Sequence, residues 1–179
     1  YKNAGFNPVA IADMAIKKAE EAASIHKIPK VYGSSEELIK DPDIEILDIA
    51  VPPHIQPDII EQACLQNSHI KGILAQKPLA LNYIQAQEAV KTCKEHGVIL
   101  GVNQNMRYDQ SMMALKILLE KGLLGEPIIA TIEMRATPFW QDYLKEYDRL
   151  TILNMSIHHI DVFRYLFGEP SGVLASTRT

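Results

Sequence analysis

Short apolar runs alternate with longer amphipathic ones over the first hundred residues. Residues 8–13 (Pro-Val-Ala-Ile-Ala-Asp) read as a strand, 15–27 as an Ala-rich helix and 30–32 as a second short strand. Ser34 and Glu37 stand at capping-box spacing at the head of a short helix. Asp41-Pro42 ends it, because proline disfavours helical geometry in the residue before it. A strand is expected at 45–51 (Glu-Ile-Leu-Asp-Ile-Ala-Val), closed by Pro52-Pro53, and a helix at about 55–66. Gly72-Ile73-Leu74-Ala75 gives the next strand, Asn82 caps a helix running to His96 and Gly97 ends it. Residues 98–102 complete the series. Strands alternating with helices of this length imply crossover connections and a parallel sheet covered on both faces, which is a doubly wound α/β architecture.

The pattern changes after residue 103. A helix of about 110–121 ends at Gly122, and 128–135 alternates with period two, the mark of a strand covered well on one face only. A second α/β domain with an open, mainly antiparallel sheet is therefore expected from residue 124, with 1–123 forming the first domain. Its further elements are a loop around Trp140, a helix of about 152–167 ended by Gly168 and a strand at 172–178.

Composition narrows the classes. A length of 179 residues, 47% hydrophobic and 22% charged, is that of ordinary globular chains. The net charge of -4, with no stripe of Lys and Arg, gives no sign of a nucleic-acid or anionic-membrane partner. No apolar run approaches the length of a membrane span. Cys64 and Cys93 both fall in helical patterns, so buried thiols in a reducing compartment fit better than a disulfide, and the cytoplasm is the default expectation.

A sheet of this kind binds a dinucleotide through a Gly-rich turn after its first strand, where the backbone must approach the pyrophosphate closely. No G-x-G-x-x-G occurs in the chain. Asp13 nevertheless closes a strand in the manner of the acidic residue that bonds the ribose hydroxyls, normally about 20 residues after the glycines. Only twelve residues precede it, so the turn and its strand are expected upstream of Tyr1. Residues 124–179 are likewise too few for a whole open sheet, and more chain is expected at both ends. A carboxylate at position 13 accepts ribose hydroxyls and repels a 2′-phosphate, which favours NAD and leaves NADP as the other possibility.

Four segments together carry a resemblance. They are Ile49-Ala50-Val51-Pro52-Pro53-His54, Ile73-Leu74-Ala75-Gln76-Lys77-Pro78-Leu79-Ala80, Gly101-Val102-Asn103-Gln104-Asn105-Met106-Arg107-Tyr108 and Asn154-Met155-Ser156-Ile157-His158-His159-Ile160-Asp161. In this order they resemble the signature segments of the Gfo/Idh/MocA oxidoreductases, over nearly the whole chain. The resemblance implies a Rossmann domain followed by an α/β domain whose open sheet often forms subunit interfaces, hence a homo-oligomer. It also implies hydride transfer between a sugar, inositol or similar polyol carbon and NAD or NADP. Two alternatives exist within the resemblance: a cofactor-binding regulator without turnover, and NAD-assisted glycoside hydrolysis.

The site residues follow. Lys77, at the carboxyl end of a strand where doubly wound sheets bind ligands, can bond the reacting hydroxyl and stabilise developing alkoxide charge. The resemblance places His158 on the family's catalytic histidine, and an imidazole titrates near the working pH of a proton acceptor. Asn154, one helical turn before it, stands where many relatives carry aspartate. Gln76 replaces the usual glutamate, removing a charge beside Lys77. Asp13, Val51, Pro52, Pro53, His54, Gln76, Lys77 and Asn105 are expected toward the cofactor. Lys77, Arg107, Trp140, Asn154, His158 and His159 are expected toward the substrate, with Tyr143 a weaker choice. No metal is expected, because His158 and His159 point about 100° apart on a helix and His158 with Asp161 gives too few ligands.

Overall fold

The computed structural model describes residues 1–66, 69–135, 147 and 151–176. The chain forms two compact units, Tyr1–Asn103 and Gln104–Thr179. They divide some twenty residues before the expected position at 124, because the helix at 110–120 packs against a later helix of the second unit.

The first unit contains β1 (Ala10–Ala12), α1 (Ile16–His26), β2 (Lys30–Tyr32), α2 (Ser35–Ile39), β3 (Ile46–Ile49), α3 (Gln56–Leu65), β4 (Gly72–Gln76), α4 (Tyr83–Glu95) and β5 (Ile99–Asn103). Every strand pair is parallel: β1 with β2, and β3, β4 and β5 in that order. The caps form as their side chains dictate. Ser34 Oγ accepts from Glu37 N at 3.2 Å and Asn82 Oδ1 from Gln85 N at 3.0 Å. Glu37 closes the other half of its box on Gly33 N, one residue before the cap.

Register sets which side chains share a face. Leu47, Ile73 and Leu100 are level, as are Ile49 and Ala75, and these turn toward Ile59, Ile60, Ala63 and Cys64 of α3 and Ala89 and Cys93 of α4. Strand-to-strand steps from β3 to β5 run in one direction, so crossovers of one hand place both helices on the same face. The other face of these strands is open among the described residues, with Ile46 73% and Ile99 77% exposed.

The second unit opens with a 3-10 turn, Asn105–Tyr108, followed by α5 (Gln110–Glu120), a π-helical turn at Thr151–Ser156 and α6 (Ile157–Phe167). Asp109 caps α5 by accepting from Ser111 N at 2.9 Å. The strands expected at 128–135 and 172–178 are not formed among the described residues of those spans. Alternation alone does not make a strand, which needs a neighbour for its backbone groups. Ile128 and Ile129 are 93% and 84% exposed, so neither parity of the alternation is covered. A groove of about 510 Å³ beside them, lined by Leu119, Pro127, Ile128, Leu166 and Phe167, includes no expected site residue.

Candidate active site

The carboxyl end of β4 carries the expected lysine. Its strand is anchored from behind by the buried Ile73 and Ala75, and the chain beyond it by the buried Pro78, Leu79 and Ala80. Lys77 stands between, half-buried, with the Lys77–Pro78 peptide in cis. Burial disfavours the ammonium and holds the lysine below its ordinary range. Gln76, in the register of Asn103, receives a hydrogen bond on its side-chain oxygen from Asn103 Nδ2 at 3.3 Å.

The turn is held from α3. Gln56, in the first turn of that helix, is fully buried. Its Oε1 accepts from Gln76 N at 2.8 Å, and its Nε2 donates to Gln76 O at 3.1 Å and to Pro78 O at 2.8 Å. Neither Gln56 nor Asn103 was among the residues singled out from the sequence. A glutamine early in a helix reads as a solvated polar residue, and only the approach of α3 to the end of β4 reveals its partners.

Other expected cofactor residues sit at the ends of neighbouring strands. Asp13 follows β1 and is exposed; its Oδ1 accepts from Ala15 N at 2.7 Å, which fixes the carboxylate over the start of the next helix. After β3, Val51 and Pro52 are half-buried, Pro53 is buried and His54 is exposed. Pro52 O accepts from Ile55 N at 3.0 Å, closing the turn that leads into α3.

In the second unit Asn105 is exposed in the 3-10 turn. Arg107 makes a fork with Asp161, Nε to Oδ2 and Nη2 to Oδ1 each at 2.5 Å, and lies 5.4 Å from the Tyr165 ring centroid. Its guanidinium is thereby raised further above its ordinary range, the carboxylate hydrogen bond being the main cause. His158 and Asp161 are buried on α6, and His159 is half-buried. Asn154, half-buried, belongs to the π-helical turn, where i→i+5 bonding widens the coil just before the histidine. Trp140 and Tyr143 lie outside the described residues.

A nicotinamide dinucleotide fits the first unit in part. Asp13 holds one carboxylate oxygen on the backbone, and the turns after β3 and β4 offer apolar walls and a cation. These suit the ribose and nicotinamide portions, while the chain carries no Gly-rich turn for the pyrophosphate.

Parallel strands joined by helices, with an acidic residue ending one strand and a lysine ending another, define a dinucleotide-binding domain of Rossmann type. Residues 1–104 match the family described as oxidoreductases with an NAD-binding Rossmann fold. The chain belongs to this Gfo/Idh/MocA family. It is 29% identical to D-apiose dehydrogenase of Rhizobium rhizogenes over 99% of this chain and 51% of that protein. With trans-1,2-dihydrobenzene-1,2-diol dehydrogenase of Xenopus tropicalis it shares 38% identity over 66% of this chain and 35% of the other. Among solved structures, an oxidoreductase from Agrobacterium radiobacter, crystallised with NAD+, L-tartaric acid and magnesium, superposes with a TM-score of 0.78. That match has 27% identity and covers 89% of this chain and 47% of the other. The chain spans about half the length of the curated relatives that match nearly all of it.

Proposed function

We propose that the protein is an NAD-dependent dehydrogenase that oxidises a CH–OH group of a sugar, inositol or similar polyol. The observation that carries this reading is Lys77. A half-buried lysine, destabilised as an ammonium and held in a fixed turn at the ligand-binding end of a parallel sheet, suits the stabilisation of an alkoxide. Names of the relatives support the substrate class, since they include dehydrogenases of apiose, myo-inositol and a dihydrodiol. Bound NAD would accept the hydride. Lys77 would donate a hydrogen bond to the reacting oxygen, and His158 would take the hydroxyl proton, with Asn154 orienting its ring. Asp13 would accept the ribose hydroxyls, while Pro52, Pro53 and His54 would line the nicotinamide end. Asn105, Arg107, His159 and Trp140 would lie toward cofactor and substrate, and a homo-oligomer would form through the second domain.

The test is turnover of the full-length protein with NAD and NADP against a panel of sugars and polyols, followed by absorbance of the reduced cofactor. Lys77→Ala and His158→Ala should each lose most of the turnover while still binding NAD. Full turnover in Lys77→Ala would overturn the reading, and full turnover in His158→Ala would remove the histidine from the mechanism.

A further inference from the structure

We propose that Gln56 is a positioning residue for Lys77, acting through the backbone groups of the residues on either side of the lysine, Gln76 and Pro78. This rests on the reading of Lys77 given above. A primary carboxamide offers one carbonyl acceptor and two N–H donors. Gln56 commits all three groups to one target: its oxygen to Gln76 N, and its nitrogen to Gln76 O and Pro78 O. The bonded atoms lie immediately before and after Lys77, so the lysine's backbone is gripped on both sides. Pro78 Cδ further restricts the Lys77 backbone, so the point from which the side chain leaves the turn is fixed.

The burial of Gln56 sharpens the point. It is 0% exposed, and a buried carboxamide is costly unless its hydrogen bonds are made. An apolar residue of the same size at this position would fill the space, yet it would take from the turn the partners that Gln56 gives to one N–H and two C=O groups. Packing alone therefore gives no reason for a carboxamide here. The grip extends across the sheet, because Asn103 of β5 holds the Gln76 side chain while Gln56 holds its backbone. Helix α3 thus carries, on its first turn, the group that sets the origin of the lysine on β4.

The experiment uses the full-length protein with NAD and its best polyol substrate, comparing Gln56→Met, Gln56→Asn and Lys77→Ala with the parent across pH. Methionine keeps the length and removes all three bonds. Asparagine keeps the carboxamide but is one methylene too short to make them together. A displacement on the order of 1 Å at the reacting group suffices to lower kcat by roughly 10- to 100-fold. Such a loss is expected in Gln56→Met, with KM for NAD unchanged, and a smaller loss in Gln56→Asn. The limb of the kcat–pH profile that is absent in Lys77→Ala should move toward higher pH in both variants, because a loosened turn re-exposes the ammonium to water. A fold defect alone would lower the active fraction without moving that limb. Parent-like kcat and an unmoved limb in either folded Gln56 variant would overturn the proposal. Retained activity in Lys77→Ala would instead overturn the reading beneath it, so the two failures are distinguishable.

Discussion

Arg107 and Asp161 meet as a two-pronged ion pair between the 3-10 turn that opens the second unit and the middle of α6. The carboxylate side chain is 12% exposed and the guanidinium 34%, so the two partners are not equivalent. Removing the arginine strands a nearly buried charge, whereas removing the carboxylate leaves a cation that can turn to water. Arg107→Ala is expected to lower stability by about 2 kcal/mol and Asp161→Asn by about half that. Arg107→Lys should recover little, because a lysine cannot reproduce the fork. Urea unfolding midpoints read these differences, and equal midpoints for Arg107→Ala and the parent would refute the asymmetry.

Acid should expose a second ion-pair cluster. Asp41 accepts from Lys30 Nζ on both oxygens at 3.0 and 2.8 Å, from Tyr32 OH at 2.8 Å and from Asp43 N at 3.0 Å. These bonds, led by Lys30, hold its carboxyl down at about 2 against an ordinary 3.8. A depressed carboxyl contributes stability that is present above the unfolded value and lost as pH falls through the folded one. The thermal midpoint should therefore drop between about pH 4 and pH 2. Asp41→Asn should be less stable than the parent at neutral pH and converge with it near pH 2. Parallel pH curves for the two proteins would refute the assignment.

Cys64 of α3 and Cys93 of α4 place their sulfurs 3.7 Å apart in the core, as free thiols. Burial pushes the Cys93 thiol up to about 12, with the neighbouring Cys64 adding to it, and burial also raises Cys64. Only thiolates react readily. The native protein at pH 8 should leave both cysteines unlabelled by a disulfide reagent, and denaturant should release both. Because the folded state keeps the proton longer than the unfolded one, this burial supports stability below about pH 9 and loses that support as pH climbs toward 12. Prompt labelling of the folded protein would contradict the buried pair.

Much of the first unit was legible in the sequence because its signals are local. Apolar runs such as Ile73–Ala75, bounded by Gly72 and Pro78, specify a strand by themselves, and Ser34 and Asn82 mark helix starts through bonds only three residues long. The Lys77 turn was legible for the same reason. Residues 128–135 were misread because alternation describes the faces of a strand and says nothing of the neighbour it requires. Gln56 escaped notice because its partners lie 20 and 22 residues away. The fork of Arg107 likewise closes on Asp161, 54 positions along the chain. Such partnerships are set by packing, to which a single sequence gives no direct access.

Lys77 itself should show the tension between stability and chemistry. Burial penalises its charged form, while the same lysine in the unfolded chain has an ordinary 10.5. The folded value is depressed, so the unfolded chain binds the proton more tightly and the penalty is in force below the unfolded value. Lys77→Met, which removes the charge and keeps the length, should therefore unfold at a higher urea midpoint at neutral pH while losing turnover. Its advantage should shrink as pH rises toward 10.5. Gln76→Glu supplies the opposite perturbation. A carboxylate beside the ammonium favours its charged form, and Asn103 Nδ2 remains able to donate to that carboxylate as it does to Gln76. The limb of the pH–rate profile belonging to Lys77 should then move to higher pH, and the stabilising effect of Lys77→Met should reverse in the Gln76→Glu background, where removing the lysine strands a carboxylate. Identical pH profiles for the parent and Gln76→Glu would show that the residue preceding the lysine does not tune it.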